Sequence, residues 1–283
     1  MSDRTAVVTG ATGRLGSVVR DALASEGWKV EAFSARGKGG STALDLRDPR
    51  SVERLLSSAP DLVVNCAALS TGGACLRSPS SAWALNSVLP GLLSRRCRSE
   101  SIPLLHVSTD LVYSGANPPY YETSPAVPVG LYGWTKLLGD VFVLRAQSDA
   151  LVARTSVLFG EAGASRPTFS EALLGGDIGT VYVDCFRNHT PVHWLARSML
   201  QALRRGGSGV LLLCGGEDQS RSAFAEALMR HLGKPLDGIS MGYGPPGTPR
   251  LLSLRPRRAA IVLNGECPDL EKGLAEEYRR TGS

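Results

Sequence analysis

Long apolar runs are missing from this sequence of 283 residues, and none reaches the roughly 20 residues that carry a helix across a bilayer. The opening Met1-Ser2-Asp3-Arg4-Thr5-Ala6-Val7-Val8 also lacks the apolar stretch of a secretory signal. No membrane association is expected, and a cytoplasmic location is. Paired cysteine motifs are absent: Cys66, Cys75, Cys97, Cys185, Cys214 and Cys267 contain no CxxC and stand mostly in apolar surroundings. Reduced, buried thiols are therefore expected in place of disulfides or a zinc site. Histidine is scarce. His189 and His193 have a spacing that could serve a metal, but Pro191 between them breaks the helix that would align them, so no metal is expected. His106 falls inside an apolar run and is read as a neutral, hydrogen-bonded core residue. Aromatic residues make up only 6% and do not interleave a basic stripe, which argues against nucleic acid as a partner despite the net charge of +5. That charge suits anionic small molecules. Trp83, Trp134 and Trp194 are read as packing residues.

What is present is an alternation. Apolar runs near Ala6–Thr9, Lys29–Phe33, Leu62–Asn65, Leu104–Ser108 and Leu151–Thr155 read as strands. Between them, helical periodicity runs near 14–25, 51–58, 79–98 and 131–147. Strands of about five apolar residues separated by amphipathic helices predict an α/β fold: a doubly wound parallel sheet of Rossmann type, with helices on both faces. After Thr155 the rhythm breaks into Gly, Ala and Ser, and residues 234–260 collect many of the prolines and glycines. A short strand near Thr180–Asp184, a helix near Val192–Arg205 and a strand at Val210–Leu213 follow the break. The expected division is a dinucleotide-binding portion over 1–158, with return elements near 180–213, and a smaller, mainly substrate-binding portion over 159–283.

The first strand runs straight into Thr9-Gly10-Ala11-Thr12-Gly13-Arg14-Leu15-Gly16. Glycines in such a turn let the backbone double back, let a pyrophosphate approach main-chain N–H groups, and let the next helix pack close to the sheet. Gly10, Thr12, Gly13, Arg14 and Leu15 are thus candidate cofactor residues. The second strand ends Phe33-Ser34-Ala35-Arg36 and offers no acid for a ribose 2′-hydroxyl. Ser34, Arg36, Lys38 and Arg14 could meet a 2′-phosphate, so NADP(H) is the expected cofactor; the alternative leaves Arg36 and Lys38 as solvated loop charges. Asp45 and Leu46 fall where a side chain could reach the adenine.

A ketone reductase needs a hydride donor, a proton donor and a group that binds the carbonyl oxygen. Tyr132 and Lys136, four apart at the start of a helix, project from one face. An ammonium beside a phenol should move its pKa from about 10 towards neutrality. Upstream, the fifth strand delivers Ser108-Thr109-Asp110 at its carboxyl end, the edge at which open parallel sheets bind ligands.

These stretches resemble the extended short-chain dehydrogenase/reductases, and among them the dTDP-4-dehydrorhamnose reductases. The match is carried by Thr-Gly-Ala-Thr-Gly-Arg-Leu-Gly, Asn65-Cys66-Ala67-Ala68, Ser108-Thr109-Asp110-Leu111-Val112-Tyr113-Ser114-Gly115, Tyr121-Glu122, Tyr132-Gly133-Trp134-Thr135-Lys136 and Arg154-Thr155-Ser156, and extends through Asp184–Ala196. The resemblance implies catalytic roles for Thr109, Tyr132 and Lys136, with Ser108 the competing hydroxyl. It places Cys66, Ala67, Ala68, Tyr132 and Lys136 against the cofactor, and Ser70, Thr109, Asp110 and Arg187 against the substrate, Arg187 as a holder of a nucleotide diphosphate or else a surface cation. Asn86 matches a helix asparagine that is either functional or a satisfied interior amide. The implied reaction is NADPH-dependent reduction of a ketone on a nucleotide-sugar, with a homodimer compatible. Val157 stands where the reductases carry tryptophan, so the sugar pocket differs. Two other activities fit the same fold: a non-catalytic dinucleotide-binding subunit resembling the methionine adenosyltransferase beta subunit, and a sugar-nucleotide epimerase or dehydratase.

Overall fold

Four successive residues of the first strand, Ala6–Thr9, have no solvent exposure at all, as expected of a strand covered on both faces. In the computed structural model, which describes residues 4–279, this strand (β1, Thr5–Thr9) is an interior strand of a seven-stranded sheet. The others are β2 (Lys29–Ser34), β3 (Thr42–Ala43), β4 (Leu62–Asn65), β5 (Leu104–Thr109), β6 (Leu151–Thr155) and β7 (Gly209–Leu212). Their order is β7-β6-β5-β4-β1-β2-β3, and every pairing is parallel. The expected doubly wound sheet is what forms. Residues 1–3 and 280–283, the ends of the two expected portions, lie outside the described residues.

Side chains alternate across β1: Ala6 and Val8 enter one core, Val7 the other. On the first face lie α1 (Arg14–Ser25), through Leu15, Val18, Val19 and Leu23, and a helix at Val192–Arg204, through Leu195, Ala196, Met199 and Leu200. The opposite face is covered by the helical run expected over 79–98 and by the helix expected over 131–147. The former is Pro79–Trp83, a π-turn at Ala84–Val88 and Leu89–Ser99 (together α2); the latter is α3, Leu131–Ala146. The π-turn was not legible in the sequence, although Pro90 gives its reason. A proline has no N–H for the carbonyl four residues back, here Asn86, and the ladder widens to pass it.

Two expectations need correction. The helix begun at Ser51 ends at Leu55, not Ser58. The strand near 180–184 does not return to the main sheet: Thr180–Tyr182 pairs instead with Ser240–Gly242. With Phe159, Leu173, Phe224, Leu228 and Leu270 it belongs to a separate core formed by residues beyond 158. Trp83 and Trp134 are 43% and 45% exposed, so neither is a core residue. The cysteines are all free thiols, and burial pushes those of Cys66, Cys97 and Cys267 up to about 12. Among the described residues no helix is long and apolar enough to cross a membrane.

Candidate active site

The strand order reverses between β1 and β4, and the cleft opens at their carboxyl ends. Gly10 sits there with φ +65°, and a Cβ on it would come within 2.8 Å of the Ala67 backbone. Only glycine permits both the turn and this approach, which brings the loop Cys66-Ala67-Ala68 flush against it. The Gly13 N–H donates to the Gly10 carbonyl at 2.8 Å, and α1 starts at Arg14 with no side-chain cap. An uncapped twelve-residue helix above a glycine cradle fits a pyrophosphate, so the residues present fit a dinucleotide.

Other cofactor candidates are distributed unevenly. Ser34 is buried, its hydroxyl 2.7 Å from that of Ser41 and accepting the Gly37 N–H, so it shapes the loop that carries the exposed Arg36 and Lys38. Arg14 turns the other way and donates to the Pro167 carbonyl; burial and neighbouring Arg166 lower its pKa. Its charge also reaches Tyr132, which puts it on the catalytic side of the cleft, away from the Ser34 loop. The Thr12 carbonyl accepts both the N–H and the hydroxyl of Ser165. Leu15 and Leu46 face the core, so neither side chain is free for a ligand. Asp45 is exposed and chelated by Arg47, whose hydrogen bonds draw its pKa down to about 2.

At the end of β5 the structure separates the two competing hydroxyls. Ser108 donates to Asp140 at 3.0 Å inside the protein, whereas the Thr109 hydroxyl caps the turn at Asp110–Val112, accepting the Leu111 N–H, and is near enough to Tyr132 to favour its phenolate. Gly133 makes that meeting possible. A Cβ there would strike the Leu111 carbonyl at 2.1 Å, so only glycine lets the start of α3 dock on this turn. Lys136, one helical turn on, is buried; its Nζ donates to the Val107 carbonyl at 2.7 Å and lies 3.2 Å from His106 Nε2.

The expected shift of Tyr132 is not what the structure gives. Burial, with Asp110 and Asp140 adding to it, pushes the phenol above its ordinary value against the hydrogen bond from Thr109, and Lys136 does not offset this. Burial likewise lowers Lys136 to about 8, against the attraction of Asp140. His106 is the neutral core histidine expected, held far below its usual pKa by burial and by Lys136.

On the substrate side, Arg187 is neither a surface cation nor free. Both arms of its guanidinium engage Asp110 at 2.8 Å, and Asp110 has no solvent exposure. Ser156 donates to the same carboxylate. Ser70 lies partly exposed on the loop after β4. That loop is pinned by Asn86, fully buried, whose amide engages the Leu69 N–H and carbonyl and the Thr135 hydroxyl. Asn86 is thus a satisfied interior amide that orders the loop. Sequence reasoning missed Arg221, which stacks over Phe169 at 4.8 Å and forms no ion pair among the described residues. Burial and Arg187 lower its pKa. An uncompensated guanidinium carries no periodicity or spacing by which to find it. His193, one of the two histidines weighed as ligands, is instead clasped by Glu277 at 2.6 Å.

The sequence matches the RmlD substrate binding domain family over residues 4–247. It is 31% identical over 266 residues to dTDP-4-dehydrorhamnose reductase of Mycolicibacterium smegmatis, which covers 92% of this chain and 78% of that protein. Methionine adenosyltransferase 2 subunit beta of Xenopus tropicalis is 34% identical over 160 residues, 56% of this chain and 48% of that protein. The crystal structure of a dTDP-4-dehydrorhamnose reductase from Bacillus anthracis in complex with NADP superposes with a TM-score of 0.86 over 99% of both chains at 20% identity, a likeness of fold. The glycine cradle, the Thr109-Tyr132-Lys136 grouping and these alignments agree: the chain belongs to the RmlD substrate binding domain family, within the extended short-chain dehydrogenase/reductases.

Proposed function

We propose that the chain is an NADPH-dependent reductase of a ketone on a nucleotide-linked sugar, of the dTDP-4-keto-6-deoxysugar type. The observation that carries this reading is the convergence at the carboxyl end of β5: Thr109 at the strand's end, Gly133 docking the start of α3, which carries Tyr132, on the turn that follows, and Lys136 Nζ on the Val107 carbonyl at 2.7 Å. Bound in the cleft between β1 and β4, NADPH supplies the hydride. Tyr132 supplies the proton: its phenol is in the acid form at neutral pH, the form reduction requires. Thr109 binds the carbonyl oxygen as it gains charge. Lys136 serves the nicotinamide ribose and stabilises the phenolate once the proton has left.

Gly10, Thr12, Gly13 and Arg14 line the pyrophosphate side, with Cys66, Ala67 and Ala68 across from them. Ser34 supports Arg36 and Lys38 for the 2′-phosphate, and Asp45 stands towards the adenine. The substrate portion is drawn mainly from residues 159–283. Asp110 and Arg187 brace its wall, Ser70 contributes from the loop after β4, and the guanidinium of Arg221, which forms no ion pair among the described residues, suits the substrate's diphosphate. Six free thiols and a reduced pyridine nucleotide suit the cytoplasm.

The test is to mix the protein with NADPH and a nucleotide-linked 4-keto-sugar and follow reduced-nicotinamide absorbance. Stoichiometric loss is expected. Product without net loss would make the chain an epimerase or dehydratase, and binding without turnover would make it a regulatory subunit. Tyr132→Phe should retain NADPH affinity and lose turnover by about a hundredfold or more; undiminished turnover would remove Tyr132 from the mechanism.

A further inference from the structure

Behind Lys136 a chain of polar groups runs through the sheet. The Lys136 Nζ lies 3.2 Å from His106 Nε2, and His106 Nδ1 lies 3.0 Å from Asn65 Nδ2. Thr9 Oγ1 donates to Asn65 Oδ1 at 2.6 Å and accepts the Ala67 N–H at 3.3 Å. All four side chains are buried. Thr9 immediately precedes Gly10, and Ala67 is the residue Gly10 packs against, so the chain begins at the catalytic ammonium and ends at the dinucleotide turn.

The donors and acceptors admit few arrangements. An ammonium has three N–H bonds and no lone pair, and a neutral imidazole has one N–H and one lone pair. With Lys136 charged, His106 Nε2 carries the lone pair and Nδ1 the proton. The Nδ1 proton then needs an acceptor, so the Asn65 amide turns its oxygen to His106 and its nitrogen to Thr9 Oγ1, a half-turn from the placement with Nδ2 on Nδ1 and Oδ1 on Oγ1, and in that orientation it holds this tautomer. Two of the three ammonium N–H bonds are then spoken for, one by Val107 and one by His106.

We propose that His106 is a positioning residue for Lys136: its Nε2, oriented from behind by Asn65 and Thr9, holds one N–H of the ammonium so that the third points into the cleft. This rests on the reading of Lys136 as the residue that serves the cofactor ribose and the Tyr132 oxygen. The charged and titratable groups around the pair are few. Asp140 Oδ1 is 3.7 Å from His106 Nε2 with no hydrogen-bond partner, and its other oxygen is taken by Ser108 and Arg154. The Cys66 thiol is held protonated by burial. Asp140 attracts the ammonium without directing it, and His106 supplies the direction.

The first experiment needs no variant. Nitrogen-15 NMR of histidine-labelled, cofactor-free protein should show His106 as the Nδ1–H tautomer at neutral pH; an Nε2–H tautomer or an imidazolium would overturn the proposal. The second compares His106→Phe with His106→Gln, which keeps an acceptor. His106→Phe should weaken NADPH binding and lower turnover by roughly ten- to a hundredfold, the cost of a misplaced catalytic group. It should also shift the alkaline limb of turnover to lower pH, because the ammonium loses an acceptor that favours its charged form. His106→Gln should recover much of both. A folded His106→Phe enzyme with wild-type NADPH affinity and pH profile would sink the proposal, and if neither variant folds the tautomer decides alone. If the tautomer is as stated but the wild type reduces no ketone, the positioning stands and the assigned reaction falls.

Discussion

Arg187 offers a sharp test of how this site is built, because an anchor for substrate and a buried structural cation respond oppositely to the same substitution. Its two bonds to Asp110 are both 2.8 Å, and the side chains are 9% and 0% exposed. Arg187→Met would leave the Asp110 carboxylate in the interior with only the hydroxyls of Ser156 and Thr109 beside it. Stranding one half of a buried pair costs about 3–5 kcal/mol, whereas losing an exposed pair costs about 0–1. At roughly 2–4 °C per kcal/mol for large domains, the melting temperature should fall by about 10 °C. Asp110→Asn combined with Arg187→Met removes both charges and should recover a large part of the loss, with a coupling of at least about 2 kcal/mol across the cycle. The measurements are urea and thermal unfolding of the two single variants and the double at neutral pH. If Arg187→Met melts within about 1 °C of the parent and only the KM for the nucleotide-sugar rises, the guanidinium is an anchor and the ion-pair argument is wrong.

Two further outcomes can be checked with the same preparations. Replacing Arg36 and Lys38 together by alanine should raise the dissociation constant for NADPH tenfold or more by removing two exposed cations from the 2′-phosphate, roughly 1.4 kcal/mol, while leaving NADH within about twofold; an equal loss for both cofactors would return these residues to the solvated loop. His193 has its pKa raised chiefly by the Glu277 hydrogen bond, so it contributes stability that is complete below its ordinary 6.5 and fades as pH rises through the higher folded value. The melting advantage of the parent over His193→Gln should therefore shrink as pH rises above about 6.5, and a constant difference would deny the clasp its charge.

The sheet was legible because it is written twice, in apolar strand runs covered on both faces and in glycines that nothing else could replace. Ala6–Thr9 has no freedom but to be a central strand, and Gly10 and Gly133 mark close approaches that a side chain would block. The placement of Thr109, Tyr132 and Lys136 at the carboxyl edge of the sheet was legible for the same local reason, since strand end and helix turn fix them within a few residues. What escaped depends on partners far apart in sequence. Asp110 lies 77 positions from Arg187, so nothing local says that the guanidinium is already engaged. Arg221 is defined by a carboxylate it lacks, and His106 by an ammonium 30 positions away. The π-turn left a trace only in Pro90.

The direction of the Tyr132 shift bears on which group sets the alkaline limb of the proposed reaction. An ammonium placed to lower the resting pKa of the phenol would make it a stronger acid and raise the resting share of phenolate, the form that accepts a proton in the oxidative direction. Here the ammonium is held by Val107 and His106, and burial among Asp110 and Asp140 keeps the phenol protonated well past neutrality. In the proposed mechanism Lys136 acts after transfer, when a phenolate stands in a poorly solvated site and needs a cation beside it. Of the two groups, Lys136 titrates first, at about 8, so the ammonium is present below that pH and lost above it. Turnover in the direction of ketone reduction should therefore be flat through neutrality and decline as pH rises past about 8, with Lys136 and not Tyr132 setting the limb. Measured under saturating cofactor, a rate that climbs between pH 7 and 9 would assign catalysis to the phenolate. A rate that stays level to pH 10 would show that the ammonium is not required, and the division of labour between the two residues would have to be abandoned.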